Sequence, residues 1–167
     1  MFRRVVILAG ADDAPGLAAA VRAAAPAVSV ATVTDAPGFA EVAAALGEGD
    51  LLLSFGTGVI VPGEVIERLR GNAYNFHAAP PAYPGRDPHH HAAYDGATEY
   101  GATAHVMQAS VDSGAIVAVR RVAVSSRAAP AELLAAGNAA ARALFDALVP
   151  RLLAGERPER MPGEQWG

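Results

Sequence analysis

Short runs of β-branched and aliphatic residues alternate with alanine-rich segments through the first 77 positions, and this alternation limits the fold more than any other feature. Arg4 to Ala9 reads as a buried strand, Pro15 to Ala25 as a helix, Val28 to Val33 as a strand, Phe39 to Leu46 as a helix and Leu51 to Phe55 as a strand. Pro62, suited to a first helical turn, opens a helix to Arg70, and Ala73 to His77 is a fourth strand. The β-α-β-α order predicts an α/β fold: a three-layer, mostly parallel sheet with helices on both faces and right-handed crossovers. Further on, Ala102 to Gln108 and Ala115 to Ser125 read as strands and Ala131 to Leu153 as a long closing helix. A body over residues 1–154 is then followed by an extended tail, 155–167, holding Pro158, Pro162 and the only tryptophan. Trp166 is expected to dock on the body or on a partner, with plain disorder of the tail as the alternative.

Composition sets the outer limits. At 167 residues and 52% hydrophobic composition the chain can build one ordinary core, but not two comfortable ones. It has no run of about 18 or more apolar residues, and MFRRVVILAG passes from two arginines into a strand pattern without a cleavage region. A cytoplasmic protein without a membrane partner is expected. The absence of cysteine removes disulfides, thiolate nucleophiles and Cys-ligated zinc from consideration. A net charge of −4 with 13 Lys plus Arg provides no broad cationic surface, so nucleic acid is not expected as a partner.

Ligands of such sheets bind at the carboxyl ends of the strands, and His77 sits at one of those ends. Asn75, His77 and Asp112 lie in the strings AYNFH and VDSGAIV, separated by a Pro/Gly-containing stretch that holds the remaining histidines, 89, 90, 91 and 105. An amide, an imidazole and a carboxylate are what acyl transfer to an amine requires: an oxyanion donor, a proton handler and a group that orients it. The same residues could instead end a strand and form a turn. His105 serves equally well as a hydrogen-bonded interior residue or as a catalytic one. For His89 to His91, adjacent side chains point in different directions and no metal-ligand spacing accompanies them; pocket lining is expected, and no metal. The first strand-to-helix turn, Gly10-Ala11-Asp12-Asp13, fits neither the dinucleotide nor the P-loop fingerprint, and its two carboxylates would repel a phosphate. Asp12 or Asp13 is expected to cap the helix; the alternative is that they attract a cationic amine.

Taken together, DLLLSFGTGVIVPGEVIERLRGNAYNFH, PPAYPGRDPHHHAAYDG and EYGATAHVMQASVDSGAIV resemble the catalytic domain of the folate-dependent formyltransferases. Asn-x-His at a strand end, a Pro- and Gly-containing loop, a Gly-x-Thr strand and a downstream Asp-x-Gly occur in order between Asp50 and Val117. The resemblance implies a Rossmann-like catalytic domain that moves a formyl group from 10-formyltetrahydrofolate, as co-substrate, to a primary amine. It implies that Asn75 donates to the oxyanion of the tetrahedral intermediate, that His77 shares that oxygen or manages the proton, and that Asp112 orients His77. The folate head group is implied to lie along Thr57, Gly58, Val59 and Ile60 and along Met107 to Val111, including Gln108 and Ser110.

Departures from the family narrow what the resemblance implies. Gly10-Ala11-Asp12-Asp13 replaces the phosphate-gripping turn of the glycinamide ribonucleotide enzyme, and the loop from His77 to Gly85 is one residue short. No domain of the kind that binds tRNA is expected after Leu153, and none of the kind that regulates the hydrolase before the first strand. The expected acceptor is a small-molecule amine, such as an amino sugar or a biosynthetic intermediate. The rival expectations are a formyltetrahydrofolate hydrolase, or a non-catalytic module that binds folate or a partner. Several such domains pair up, and the apolar final helix and Trp166 are the features available for a homodimer.

Overall fold

The computed structural model describes residues 1–167. The strands are β1 (Arg4–Ala9), β2 (Ser29–Val33), β3 (Asp50–Phe55), β4 (Ala73–His77), β5 (Glu99–Val106) and β6 (Ile116–Ala123). The helices are α1 (Ala14–Ala24), α2 (Ala36–Ala43), α3 (Gly63–Arg68), α4 (Pro88–Tyr94) and α5 (Pro130–Leu153). One six-stranded sheet runs β2-β1-β3-β4-β5-β6, with β2, β1, β3 and β4 parallel and β5 and β6 antiparallel. No helix is long and apolar enough to cross a membrane.

Strand alternation sorts the side chains between two cores. Val5, Ile7, Ala9, Leu51, Leu53 and Phe55 face α1 and α5, where Phe55, Phe76 and Phe145 meet with ring centroids 5.1 to 6.4 Å apart. Val6, Leu8 and Leu52 face the opposite layer and pack with Phe39 of α2 and Val65 of α3. β1 and β3 are buried on both faces, which explains why they read as nearly unbroken apolar runs, whereas the edge strand β2 is largely open to solvent.

Several local expectations are corrected. Asp13 stands at the N-cap of α1 in a helical backbone conformation and its side chain makes no capping bond; the turn is closed instead by the Asp13 and Ala14 N–H groups on the Gly10 carbonyl. Asp35 does cap, accepting from Gly38 N–H at 2.8 Å, and so starts α2 three residues earlier than its apolar pattern suggests. β5 begins at Glu99, since Glu99 pairs with Ala123 and Tyr100 with Val122. The His-rich segment forms the short helix α4 behind Asp87, a residue with φ of 51°.

At the end of the sheet away from the histidines, the fully buried Asp50 carboxylate anchors β1 to the turn before β3. It accepts from Arg3 Nε (2.9 Å) and Nη2 (3.1 Å), Arg4 Nη2 (3.0 Å) and Gly47 N–H (3.0 Å). Burial alone pushes this carboxyl up, but the bonds from Arg3, Arg4 and Gly47 and the charge of Arg4 outweigh it and bring it down to about 2. A carboxyl lowered on folding adds stability above its unfolded value, and that stability fades as pH falls through the folded value. Asp50→Asn is therefore expected to destabilise the protein by roughly 2 kcal/mol at neutral pH, from about 1.4 kcal/mol per pKa unit. Denaturant melts of both proteins should differ above about pH 4, the unfolded carboxylate range, and converge towards pH 2.

Candidate active site

The topology builds a crevice before any side chain is considered. The chain leaves β1 for β2 on one side and returns to β3 on the other, so the carboxyl ends of β1 and β3 part from each other at a topological switch point. Gly10 and Gly56 stand at those ends, and the Asp13 carboxylate lies between them, about 4 Å from where a β-carbon on either would be.

Alternation along β4 places Asn75 and His77 on one face, and the antiparallel register sets Asn75 directly opposite His105 on β5. A β-bulge on β6 facing His105, where Ala104 pairs with Ala118 but His105 with Ile116, disturbs the ladder at this residue. Asp112 arrives from the loop between β5 and β6 with φ of 45°, a left-handed conformation unusual for a non-glycine residue and concentrated at functional sites.

The four side chains form one network. Asp112 Oδ2 accepts from Gly85 N–H at 2.8 Å and faces His77 Nδ1 at 3.5 Å, while Oδ1 faces His105 Nε2 at 3.3 Å and Asn75 Nδ2 at 3.4 Å. Burial pushes the Asp112 carboxyl up, but the hydrogen bond from His105, the charge of His77 and the Gly85 N–H together hold it below the ordinary carboxylate value. It remains an anion that only accepts.

The opposite sides of the imidazoles settle which nitrogens donate. His77 Nε2 lies 2.8 Å from the Tyr83 carbonyl and His105 Nδ1 lies 3.0 Å from the Val106 carbonyl; a carbonyl oxygen cannot donate, so both nitrogens carry protons. His77 Nδ1 is then the atom at which a further proton is met by Asp112. His105 Nε2, without a proton, accepts from the Asn75 amide at 3.1 Å; once protonated it donates to Asp112 and releases that amide.

Two cavities meet at Asn75. One is a narrow cleft of about 70 Å³ lined by Thr57, Val59, Ile60, Met107, Gln108, Ser110 and Val111, with Ser54, His105 and Asp112 at its floor. The other, about 500 Å³, is lined by Asp13, Gly58, His77, Arg86, Asp87, His89 and Asn138 among others. Gly58 thus lies on the second cavity rather than in the cleft with its sequence neighbours. His89, pushed below the usual imidazole value by burial and then by His90, reaches that cavity from α4, and its ring lies 4.5 Å from that of His90.

Sequence reasoning left His105 open and missed the carbonyl of Tyr83 and the N–H of Gly85, main-chain groups that no motif records. The His105 signal was its seven-residue spacing from Asp112 and its alternation with Thr103 along β5. Trp166 also arrives here, with its ring centroid 4.9 Å from His105 and 5.9 Å from His77.

The profile of the formyl transferase family matches residues 36–148, more than half of the chain. A methionyl-tRNA formyltransferase of Listeria welshimeri is 35% identical over 79 residues, covering 47% of this chain and 25% of that protein, so the match spans a quarter of the relative's length. Phosphoribosylglycinamide formyltransferase of Anaplasma phagocytophilum superposes with a TM-score of 0.76 at 18% identity, over 98% of this chain and 91% of that one. An N-formyltransferase of Helicobacter canadensis, solved with folinic acid and dTDP-3-aminofucose, gives 0.77 at 15% identity, over 100% and 71%. At these identities the superpositions establish the fold.

Gly114 is the position through which the Asp112 loop can be tested. A β-carbon there would come within 1.7 Å of the Val106 carbonyl, so the close approach of the loop to the end of β5 requires glycine. Gly114→Ala is expected to cost about 1–3 kcal/mol, the usual range for overpacking. That corresponds to a melting temperature lower by roughly 2–12 °C, measurable by calorimetry.

Proposed function

The chain belongs to the formyl transferase family, and on that premise we propose that it transfers the formyl group of 10-formyltetrahydrofolate to the primary amine of a small molecule. The observation that carries this reading is the position of Asn75, which together with Thr57 lines both the narrow cleft and the wide cavity. A donor in one and an acceptor in the other would meet at its amide.

Apolar residues and main chain dominate the cleft side. Ile60 and Val111, both largely exposed, flank an entrance suited to a flat ring, and Gly58 leaves its loop open space to move. Ligand sites usually hold ~300–1,000 Å³, so a folate head group needs more room than this cleft of about 70 Å³ provides, and its open side is the exposed Ile60 and Val111. The bound folinic acid of the Helicobacter canadensis protein supports a reduced folate as the ligand class for this fold. The wide cavity carries charge of both signs, from Asp13 and Asp87 and from Arg86, as a polar amine would need. The sugar-nucleotide amine in that same structure supports an amino-sugar class of acceptor.

The reaction follows from the network. Attack by the amine nitrogen on the formyl carbon forms the new C–N bond and places negative charge on the formyl oxygen. Asn75 Nδ2–H donates to that oxygen, giving up its long 3.4 Å contact with Asp112, the weakest bond in the cluster. His77 Nδ1 takes the proton released by the amine while Asp112 balances the charge, then delivers it to the departing folate nitrogen as the old C–N bond breaks. Tyr83 O and Gly85 N–H keep ring and carboxylate in place throughout.

The test is tetrahydrofolate release from 10-formyltetrahydrofolate, followed by absorbance across a panel of free and nucleotide-linked amino sugars and other primary amines. Amine-dependent release with formation of a formamide is expected. Release at the same rate without amine would reassign the site to hydrolysis, and absence of both binding and release by the folded protein would remove the reading. Asn75→Ala should lower kcat by about 10²- to 10³-fold, the usual loss for one oxyanion donor.

A further inference from the structure

The segment after α5 turns back along the sheet and ends against the two histidines. Met161 N–H donates to the Ile116 carbonyl on β6 at 2.8 Å, and Glu164 takes both terminal nitrogens of Arg121 at 2.7 and 2.8 Å. That hydrogen bond, more than the Arg121 charge, keeps the Glu164 carboxyl ionised below its usual range. Trp166 Nε1–H then donates to the Gly114 carbonyl at 2.9 Å, and Gly167 N–H to the Pro81 carbonyl at 2.9 Å. Residues 161–167 therefore join three things: β6, the loop that carries Asp112, and the loop whose Tyr83 carbonyl holds His77.

We propose that Trp166 is a positioning residue for formyl transfer, its indole holding the His77 and His105 imidazoles in the orientation that the reaction uses. The proposal rests on the function given above for the Asn75–His77–Asp112 site. Each imidazole meets the indole close to edge-on, at interplanar angles of 67° for His77 and 87° for His105, an arrangement that aromatic quadrupoles favour. His77 needs such a contact. Its bond to Tyr83 fixes Nε2, but the 3.5 Å approach of Nδ1 to Asp112 is too long to fix the tilt of the ring, and Nδ1 is the atom that must meet the proton. The indole is itself fixed through Gly114, two residues beyond Asp112, so ring and carboxylate are referenced to one piece of main chain. The indole N–H is spent on the Gly114 carbonyl, which leaves the ring edge and faces to the imidazoles.

A tryptophan that only pinned down the segment would affect stability and nothing else. The experiment compares full-length wild type, Trp166→Phe and Trp166→Ala in two measurements. In formyl transfer, Trp166→Ala is expected to lose between about tenfold and a hundredfold in kcat, the scale of an ångström-sized misplacement, with KM for 10-formyltetrahydrofolate within about twofold of wild type. Trp166→Phe, which keeps a ring but no N–H, should recover most of that loss. In imidazole-detected NMR of the unliganded proteins, the His77 Nε2–H on the Tyr83 carbonyl should be visible in wild type and Trp166→Phe and lost to exchange in Trp166→Ala. A Trp166→Ala protein with unchanged kcat and an intact His77 N–H signal would overturn the proposal, however much its melting temperature had dropped. If wild type transfers no formyl group, the functional reading fails, and the NMR measurement alone still decides whether Trp166 holds the rings.

Discussion

A carboxylate taken out of water must find donors, and the active end of this protein is arranged around that need at Asp112. Its four partners come from three places: Asn75 and His77 from β4, His105 from β5, and the Gly85 N–H from the loop after β4. No single element could provide them. The left-handed backbone at Asp112 is the local cost of pointing the carboxylate inward from a turn. Losing the Gly85 N–H or the Asn75 amide leaves a buried charge short of a donor, which ties the alignment of the imidazoles to the integrity of the loops around them.

The change from parallel to antiparallel strands halfway across the sheet has a chemical consequence. Parallel pairing carries the chain ends of β1, β3 and β4 to one rim, where the crevice opens. Antiparallel pairing sets His105, near the end of β5, against Asn75 at fixed register. The Asn75 amide and the His105 imidazole are neighbours through the ladder alone.

Much of this was legible in the sequence, and the gaps have physical reasons. β1 and β3 could be read because they are buried on both faces and so carry a continuous apolar signal, RVVILA and DLLLSF. α4 went unread because a seven-residue helix opened by Asp87 and Pro88, with three histidines in its first turns, has no apolar periodicity to detect. Asn75, His77 and Asp112 stood out as residue types within a recognisable string, whereas their joint geometry depends on a cross-strand register and a bulge that no local pattern encodes. Asp13 misled because an acidic residue before a helix ordinarily caps it. Here main-chain N–H groups reach the Gly10 carbonyl, and the carboxylate is left to face the crevice.

The folded-back segment also bears on how the protein behaves among copies of itself. A six-stranded open sheet has two edges, each a row of main-chain groups on which another strand can build. β6 is one edge, and Met161 and the Arg121–Glu164 pair lie across it. β2 is the other, only five residues long. The segment that carries Trp166 to the histidines thereby occupies the Ile116 main-chain carbonyl at the start of β6 and closes that part of the edge to an added strand, whereas the β2 edge is limited by its shortness.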